Sequence, residues 1–231
     1  NTLDAYLSAY QSDPISAFGG IIAFNYPIDP ITAQTILNKQ FLEVLITPPI
    51  TKKTLNIIKL KQNIRVLIIN KYKYKNKELH FKYIHGGLLL QDPDIMDTNS
   101  TQWKVVTHRK PSELELKDSI FCWKVVKFVK SNAIVYCKNL STIAIGAGQT
   151  SRIASTIIAN MKLKEKKQEI FGCTLASDAF LPFKDNIHQA SKLGITCIIQ
   201  PGGSIRDHET IQAANKHDIS MIFTFIRHFK H

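Results

Sequence analysis

The sequence of 231 residues lacks long hydrophobic runs, and it is short of cysteine and of acidic residues. Its longest apolar stretches, such as Val66–Ile69 and Gly87–Leu90, fall far below the roughly 20 residues that a helix needs to cross a bilayer. We therefore expect neither an integral membrane protein nor a membrane partner. No secretory signal pattern opens the chain, and residue 1 is Asn rather than Met, so we expect it to begin inside a longer protein.

Cysteine is scarce and widely spaced. None of the four cysteines is part of a CxxC pair, the spacing typical of zinc sites and thiol redox centres; they are Cys122, Cys137, Cys173 and Cys197. Most of them have apolar neighbours, which favours buried free thiols in a reducing compartment. The sequence therefore predicts a cytoplasmic protein with no metal site.

Acidic residues are scarcest in residues 51–82, which hold ten Lys or Arg and only one acid, Glu78. Nine of the twelve net positive charges lie in this block. It could bind a polyanion such as nucleic acid. The alternation of lysines from Lys71 to Lys77 is more typical of a solvated strand edge, where lysine prevents edge-to-edge pairing. We expect no nucleic-acid partner.

Apolar, β-rich segments bounded by turn residues alternate with helical patterns along the chain. The pattern predicts an α/β fold with mixed, largely parallel sheets. Strands are predicted at 20–25, 41–46, 63–70, 133–137, 142–145, 172–175, 196–200 and 221–225. Helices are predicted at 29–40, 149–163, 186–193, 207–217 and, behind a Ser112–Glu115 capping box, to about Lys130. The polar, irregular stretch 92–107 resembles a linker between two α/β halves, so we place two domains at 1–110 and 111–231.

Three connections that follow predicted strands carry glycine and polar residues, and ligands in open α/β sheets bind at such strand ends. Gly146–Arg152 could hold an anion, with Arg152 gripping a phosphate or carboxylate, or could be only a tight turn. In Ser177–Asp185, Phe180 and Phe183 could stack on a planar heterocycle beside Asp185. Alternatively, both rings pack under the loop and Asp185 caps the next helix.

The third connection, Gln200–Asp207, could hold another polar group of a ligand. Ser131 and Asn132 precede a predicted strand, where Asn132 could orient a carboxamide or simply end the preceding helix. The C-terminus Arg227–His231 is basic and aromatic, and it could be a frayed tail, as chain termini usually are.

Taken together, these segments resemble the AICAR transformylase family, the C-terminal part of a bifunctional purine-biosynthesis protein that also contains IMP cyclohydrolase. The matching segments are SNAIVY at 131–136, GAGQTSRI at 146–153, ASDAFLPFKD at 176–185, QPGGSIRD at 200–207, RHFKH at 227–231, DPISAFGGIIAFN at 13–25 and FCWKVVKFVK at 121–130. The resemblance covers essentially the whole chain, although the cyclohydrolase domain lies outside it.

The resemblance implies transfer of a formyl group from 10-formyltetrahydrofolate to the 5-amino group of AICAR, giving FAICAR. It also implies two cytidine-deaminase-like α/β halves and a homodimer with sites at the subunit interface. The zinc deaminase signature H-x-E with P-C-x-x-C is absent from the sequence, so no metal is expected in the chemistry.

Residue roles follow from the resemblance position by position. The AICAR contacts implied are Gly19, Glu43, Asn132, Arg152, Phe180 and Arg227, of which Asn132 also supports catalysis. The folate contacts implied are Ile153, Asp185, Ser204 and Ile205, and His231 closes the site as a supporting catalytic residue.

This chain departs from the family pattern at three places. The general base of the family belongs to a Lys-His pair upstream of the Asp13–Asn25 motif, before residue 1 of this chain. Leu181 replaces a Phe, and Lys184 replaces an Arg, which removes any bidentate contact. The alternative hypothesis is a truncated or decayed remnant that binds nucleotide or folate without turnover.

Overall fold

A computed structural model describes residues 1–70, 79–94, 102–166 and 170–230, without the side chains of 165 and 166. The chain forms two compact units, Asn1–Pro93 and Asp94–His231. The predicted boundary at residue 110 falls inside the second unit, because a strand at Lys104–Val105 pairs with the last strand of that unit. The lysine alternation from Lys71 to Lys77 lies outside the described residues.

The first unit begins with alternating helices and strands. In chain order these are α1 (Thr2–Ser12), β1 (Gly20–Ala23), α2 (Pro30–Lys39), β2 (Leu42–Thr47), α3 (Lys52–Ile58) and β3 (Arg65–Ile68). The strands form a parallel sheet in the order β1-β2-β3. Each helix begins at a capping side chain, and these are Asn1, Asp29 and Thr51. Tyr6, Ile36 and Leu45 are buried in its core.

A hairpin of two antiparallel strands, β4 (His80–Ile84) and β5 (Gly87–Gln91), completes the first unit. Every residue of both strands is exposed, although many are apolar. A two-stranded hairpin is at best marginally stable alone in water, so this surface is unusual. The sequence pattern did not predict β4, β5 or α3.

The second unit contains a six-stranded sheet flanked by helices. Its elements are β6 (Lys104–Val105), α4 (Glu113–Val126), β7 (Ile134–Lys138), β8 (Ser141–Gly146), α5 (Arg152–Lys166), β9 (Cys173–Ser177), α6 (Lys184–Lys192), β10 (Ile195–Gln200), α7 (Asp207–Lys216) and β11 (Ser220–Phe223). The strand order is β6-β11-β10-β9-β7-β8. Only β9–β10 and β10–β11 are parallel pairs.

The α/β class with mixed sheets is therefore confirmed, but "largely parallel" was wrong for this sheet. The error arises at β7 and β8, which a turn at Asn139 and Leu140 joins directly into a hairpin without a crossover helix. Both turn residues have positive φ, 54° and 56°. A two-residue turn of this kind produces antiparallel neighbours.

Helices cover both faces of this sheet. Along β7, Val135 and Cys137 pack against α4, whereas Ile134 and Tyr136 pack on the opposite side with residues of α5, α6 and α7. A sheet covered on both faces has continuous apolar strands, which is why the sequence showed unbroken runs here. All four cysteines are buried and free, as predicted.

Helix α4 begins as predicted, with Ser112 and Glu115 forming both bonds of the capping box. It ends at Val126 rather than near Lys130, because Phe128 and Val129 donate to carbonyls three residues back and so tighten the chain into a turn. Within the described ranges, no helix combines the length and apolarity that a bilayer span needs.

Candidate functional site

One edge of the six-stranded sheet collects the predicted loops. Strands β8, β9, β10 and β11 run in one direction, and β7 runs against them, so β7 begins where the others end. Ile134 of β7 lies opposite both Gly146 and Ser177. The residues that the sequence predicts as site residues in the second unit, as far as it is described, therefore all lie at this edge. They are Asn132, Arg152, Ile153, Phe180, Asp185, Ser204, Ile205 and Arg227.

Asn132 ties the start of β7 to the glycine-containing loop after β8. Its side-chain Nδ2 donates to the carbonyl oxygen of Gln149 at 3.0 Å, and its backbone N–H donates to the same oxygen at 3.2 Å. The carbonyl of Asn132 accepts from Ser155 Oγ at 2.6 Å. Asn132 does not end a helix, because α4 has already ended at Val126.

The glycine at the end of β8 allows helix α5 to approach the sheet closely. A Cβ atom on Gly146 would collide with the backbone of Ser155 in the first turns of α5. Gly148, with φ +66°, makes the turn that follows. The close approach places Arg152, the first residue of α5, at the sheet edge.

An ion pair orients Arg152. One terminal nitrogen of Arg152 lies 2.6 Å from Oδ1 of Asp178, whose side chain is fully buried. Oδ2 of Asp178 accepts from Ser131 Oγ at 2.5 Å. The carboxylate thus fixes the orientation of the guanidinium. Nε of Arg152 is buried and has no hydrogen-bond partner in the described part of the chain.

That unpartnered Nε–H is a costly group to bury, and the exposed 14% of the Arg152 side chain leaves the guanidinium open to an anionic or carbonyl oxygen of a ligand. The arrangement therefore favours the anion-site interpretation of the Gly146–Arg152 loop over a purely structural turn. The sequence reading assigned no role to Asp178 or Ser131. The sequence shows a carboxylate directly after a buried strand, but its partner Arg152 lies 26 positions away, so no local pattern links the two.

Phe180 and Arg227 form the next part of the edge. The guanidinium carbon of Arg227 lies 5.0 Å from the centroid of the Phe180 ring, within cation–π range. Phe180 is half-buried, and Arg227 is exposed. Gly203 lies beside this pair, since a Cβ there would be 3.8 Å from an Arg227 nitrogen.

The loop after β9 does not pack as the alternative interpretation predicted, with both phenylalanine rings beneath it. Leu181, not the two phenylalanines, is buried beneath the loop, and its N–H donates to Gln200 Oε1 at 2.6 Å. Phe183 is 42% exposed, with the guanidinium of Arg206 5.4 Å from its ring centroid. Asp185 is not the cap of α6, because the helix begins at Lys184 and places it in the first turn.

Exposed apolar side chains lie on the same loops. Ile205 is 100% exposed and Ile153 is 47% exposed. Ser204 is held in its turn: its Oγ accepts from the Arg206 N–H at 3.1 Å, and its own N–H donates to Asp207 at 3.2 Å. These loops present apolar surface beside a carboxylate, which suits a planar ligand with polar edges.

The C-terminal segment is fixed, at least to residue 230. The N–H of Ser131 donates to the carbonyl of Lys230 at 2.9 Å, and the N–H of Lys230 donates to Ser131 Oγ at 3.2 Å. The frayed-tail alternative is therefore wrong for Arg227 to Lys230. His231 lies outside the described residues.

The two site residues predicted in the first unit also lie together. Gly19 adopts φ +68°, and its N–H donates to the Phe41 carbonyl at 3.0 Å. A Cβ on Gly19 would lie 3.7 Å from Oε1 of Glu43. Gln40 Nε2 donates to the Ala17 carbonyl at 2.8 Å and so braces the turn.

The side chains that most often hold a metal ion are those of His, Cys, Asp and Glu. Across residues 1–70, 79–94, 102–166 and 170–230, no three such side chains converge in a way that could hold an ion.

Comparisons with known proteins agree on one family. A model described as the AICARFT/IMPCHase bienzyme matches residues 1–162. The Bifunctional purine biosynthesis protein PurH of Buchnera aphidicola subsp. Acyrthosiphon pisum (strain Tuc7) is 58% identical over 231 residues. The protein of the same name from Buchnera aphidicola subsp. Schizaphis graminum (strain Sg) is 57% identical over 230 residues, 99% of this chain. The chain spans 44% of the length of each relative.

Solved structures give only distant similarity. A dCMP deaminase from the cyanophage S-TIM5 in apo form overlaps 48% of this chain and 98% of its own, at 13% identity and a TM-score of 0.36. Similarity at this level supports no conclusion about function.

Proposed function

The chain belongs to the AICARFT/IMPCHase bienzyme family, and from this premise we propose that it forms part of a folate-dependent formyltransferase acting on AICAR in purine biosynthesis. The product is FAICAR, on the route to IMP. The observation that carries the proposal is the oriented Arg152 with its unpartnered buried Nε at the edge where the other site residues meet.

The AICAR-binding residues fit a flat, phosphate-bearing substrate. Arg152 and Arg227 supply two cations for its anionic group, and Phe180 supplies an aromatic face beside Arg227. Asn132, anchored by its Nδ2 to Gln149, is held firmly enough to orient a carboxamide. We assign Gly19 and Glu43 to the same substrate on the resemblance alone.

The folate-binding residues are proposed for the loops after β8, β9 and β10. Ile153 and Ile205 offer exposed apolar surface for a flat ring system, and Asp185 can accept from the N–H groups of a pterin edge. The backbone bonds of Ser204 fix this loop before a ligand arrives. The co-substrate proposed is 10-formyltetrahydrofolate, with no metal in the chemistry.

In the reaction, the amino nitrogen of AICAR bonds to the formyl carbon, and the amine proton passes to a base. The bond from that carbon to N10 breaks, its electron pair stays on N10, and N10 takes up a proton, so that tetrahydrofolate leaves. The lone pair of this amine is delocalised, so base assistance matters, typically by about 10²–10⁴-fold. The resemblance assigns the base to a Lys-His pair preceding Asp13, which this sequence does not include, and assigns His231 and Asn132 supporting roles.

In this proposal, the described residues bind and orient AICAR and the folate. Asp178 holds Arg152 in place, and its own side chain is fully buried away from water.

We also propose the finer architecture and assembly. The fold would comprise two cytidine-deaminase-like halves, 1–110 and 111–231 by sequence but Asn1–Pro93 and Asp94–His231 by compactness, in a cytoplasmic homodimer with sites at the subunit interface. The exposed hairpin supports the dimer: Phe81, Tyr83, Leu88 and Leu90 share one of its faces and are 47–82% exposed. Apolar surface of this kind is typical of interfaces.

Titration calorimetry with AICAR tests the proposed function. Saturable binding is expected, and Arg152→Ala should weaken it by about 30-fold, because truncating a buried charged partner costs about 2 kcal/mol or more. Arg152→Lys is the matched variant: it keeps a cation for Asp178 but loses the planar fork, so it should bind weakly while staying folded. Unchanged AICAR affinity in both variants would contradict the assignment.

A further inference from the structure

The residue that follows Arg227 is a buried histidine. His228 is 1% exposed, and its ring centroid lies 4.7 Å from that of the fully buried Trp123. Its Nδ1 lies 2.6 Å from Oδ2 of Asp94. The other carboxylate oxygen of Asp94 lies 3.8 Å from Nζ of Lys127.

Burial alternates along this segment. Phe225, Arg227 and Phe229 are exposed, whereas Ile226 and His228 are buried. Successive side chains of an extended chain point to opposite sides, so the inward direction of His228 turns Arg227 outward toward Phe180.

The backbone of the segment is fixed at two points. The N–H of His228 donates to the Asp178 carbonyl at 3.0 Å, and Lys230 exchanges two bonds with Ser131. Asp178 therefore orients Arg152 through its carboxylate and holds the chain next to Arg227 through its carbonyl.

We propose that His228 and Asp94 are positioning residues that hold the C-terminal segment in place and thereby keep Arg227 over Phe180 in the AICAR site. The link to AICAR rests on the proposed function. The anchor itself follows from the contacts alone: a side chain 134 residues away in sequence bonds the one buried polar side chain among residues 225–229.

The protonation of the pair follows from its surroundings. Burial lowers the pKa of His228 below its ordinary value, although the charge of Asp94 and its hydrogen bond oppose the shift. Lys127 adds to the lowering, and Asp178 opposes it. The neutral ring must then carry its proton on Nδ1, because the Asp94 carboxylate only accepts. Removing Asp94 would leave that N–H buried without an acceptor.

The experiment compares Asp94→Ala, Asp94→Asn and the control Asp92→Ala, which removes an exposed carboxylate two residues away. Two quantities are measured in each variant: hydrogen exchange of the His228 and Lys230 amides in the free protein, and AICAR affinity by calorimetry. A folate analogue is titrated as the second ligand. Asparagine keeps an acceptor for Nδ1–H, so Asp94→Asn is the conservative rescue.

We expect both amides to exchange about tenfold faster or more in Asp94→Ala, while amides of β9 and β10 stay unchanged. AICAR affinity should fall about tenfold, with folate-analogue affinity retained, because only Arg227 is misplaced. Asp94→Asn and Asp92→Ala should stay within about threefold of the unaltered chain in both measurements.

Unchanged exchange in Asp94→Ala would overturn the anchor, whatever happens to AICAR. Faster exchange with unchanged AICAR affinity would overturn the link to Arg227 and leave the proposed function standing. Absence of AICAR binding by the unaltered chain would contradict the proposed function, and the exchange data would still decide whether the anchor exists.

Discussion

At the scale of single residues, two carboxylates on the same sheet edge have different tasks. Asp178 is fully buried and serves Arg152, whereas Asp185 is exposed in the first turn of α6 and has no capping role. Because Asp185 is exposed and does not cap α6, its carboxylate is available to a ligand.

We therefore predict that Asp185→Ala weakens binding of a folate analogue about tenfold and leaves AICAR affinity within about twofold, as expected for a lost charge-assisted hydrogen bond. Thermal unfolding should change little, because Asp185 is exposed. Fluorescence or calorimetric titration with both ligands checks this. Equal folate affinity in Asp185→Ala and the unaltered chain would remove Asp185 from the folate site.

The sequence pattern indicated the residues that line the sheet edge better than the residues that hold them in place. Arg152, Phe180 and Arg227 lie in or directly after segments with local patterns, and the structure places all three at one edge. Asp178 and Asp94 were missed as partners, because their contacts join residues 26 and 134 positions apart and leave no local pattern.

At the scale of elements, an ion pair fixes the start of α4. Arg109 forms a bidentate pair with Glu115 at 2.8 and 2.9 Å and also donates to the carbonyls of Asp218 and Thr196. It thus ties α4 to β10 and to the turn before β11. Burial alone would raise the pKa of Glu115, but hydrogen bonds from Arg109 and from the Ser112 N–H, together with the charge of Arg109, lower it to about 2.

Because the pKa of Glu115 is lower in the folded chain than in the unfolded chain, its stabilisation is complete above about pH 4.5 and is lost as the pH falls toward 2. Glu115→Gln should therefore reduce the free energy of unfolding most at neutral pH, and the difference should shrink below about pH 4.5. Urea unfolding from pH 3 to pH 7 measures this. A difference that does not vary with pH would contradict it.

The contact between β8 and α5 depends on a residue without a side chain. Gly146→Ala should destabilise the second unit by about 1–3 kcal/mol or more, because its Cβ meets the Ser155 backbone and α5 must move outward. The control is Gly172→Ala, where nothing lies within 4 Å of the new Cβ and only the positive φ of +82° adds strain. Chemical denaturation of both variants tests the difference, and equal losses would contradict close packing.

Element prediction succeeded where a strand is buried on both faces and failed where pairing alone makes the strand. The apolar runs and capping residues predicted β7, β9 and β10 and the start of α4. Strand β6 has two exposed residues and exists only because β11 offers it an edge, so no hydrophobic pattern marks it.

At the scale of the whole molecule, the apolar hairpin is the feature that a single copy explains least. If it packs against a second copy, the double variant Leu88→Lys/Leu90→Lys should shift the chain from dimer to monomer, because two charges would be buried at the interface. Leu60→Lys, at another exposed leucine of the first unit, is the control and should leave the dimer intact. Sedimentation velocity distinguishes these results, and an unchanged dimer in the double variant would exclude this face as the interface.

The central claim is that the sheet edge around Arg152 binds AICAR, and a crystal structure of this chain with AICAR tests it most directly. We expect a polar atom of AICAR within hydrogen-bond distance of the Arg152 guanidinium, with Phe180 and Arg227 also in contact. AICAR bound at another surface, with Arg152 Nε still unpartnered, would contradict it.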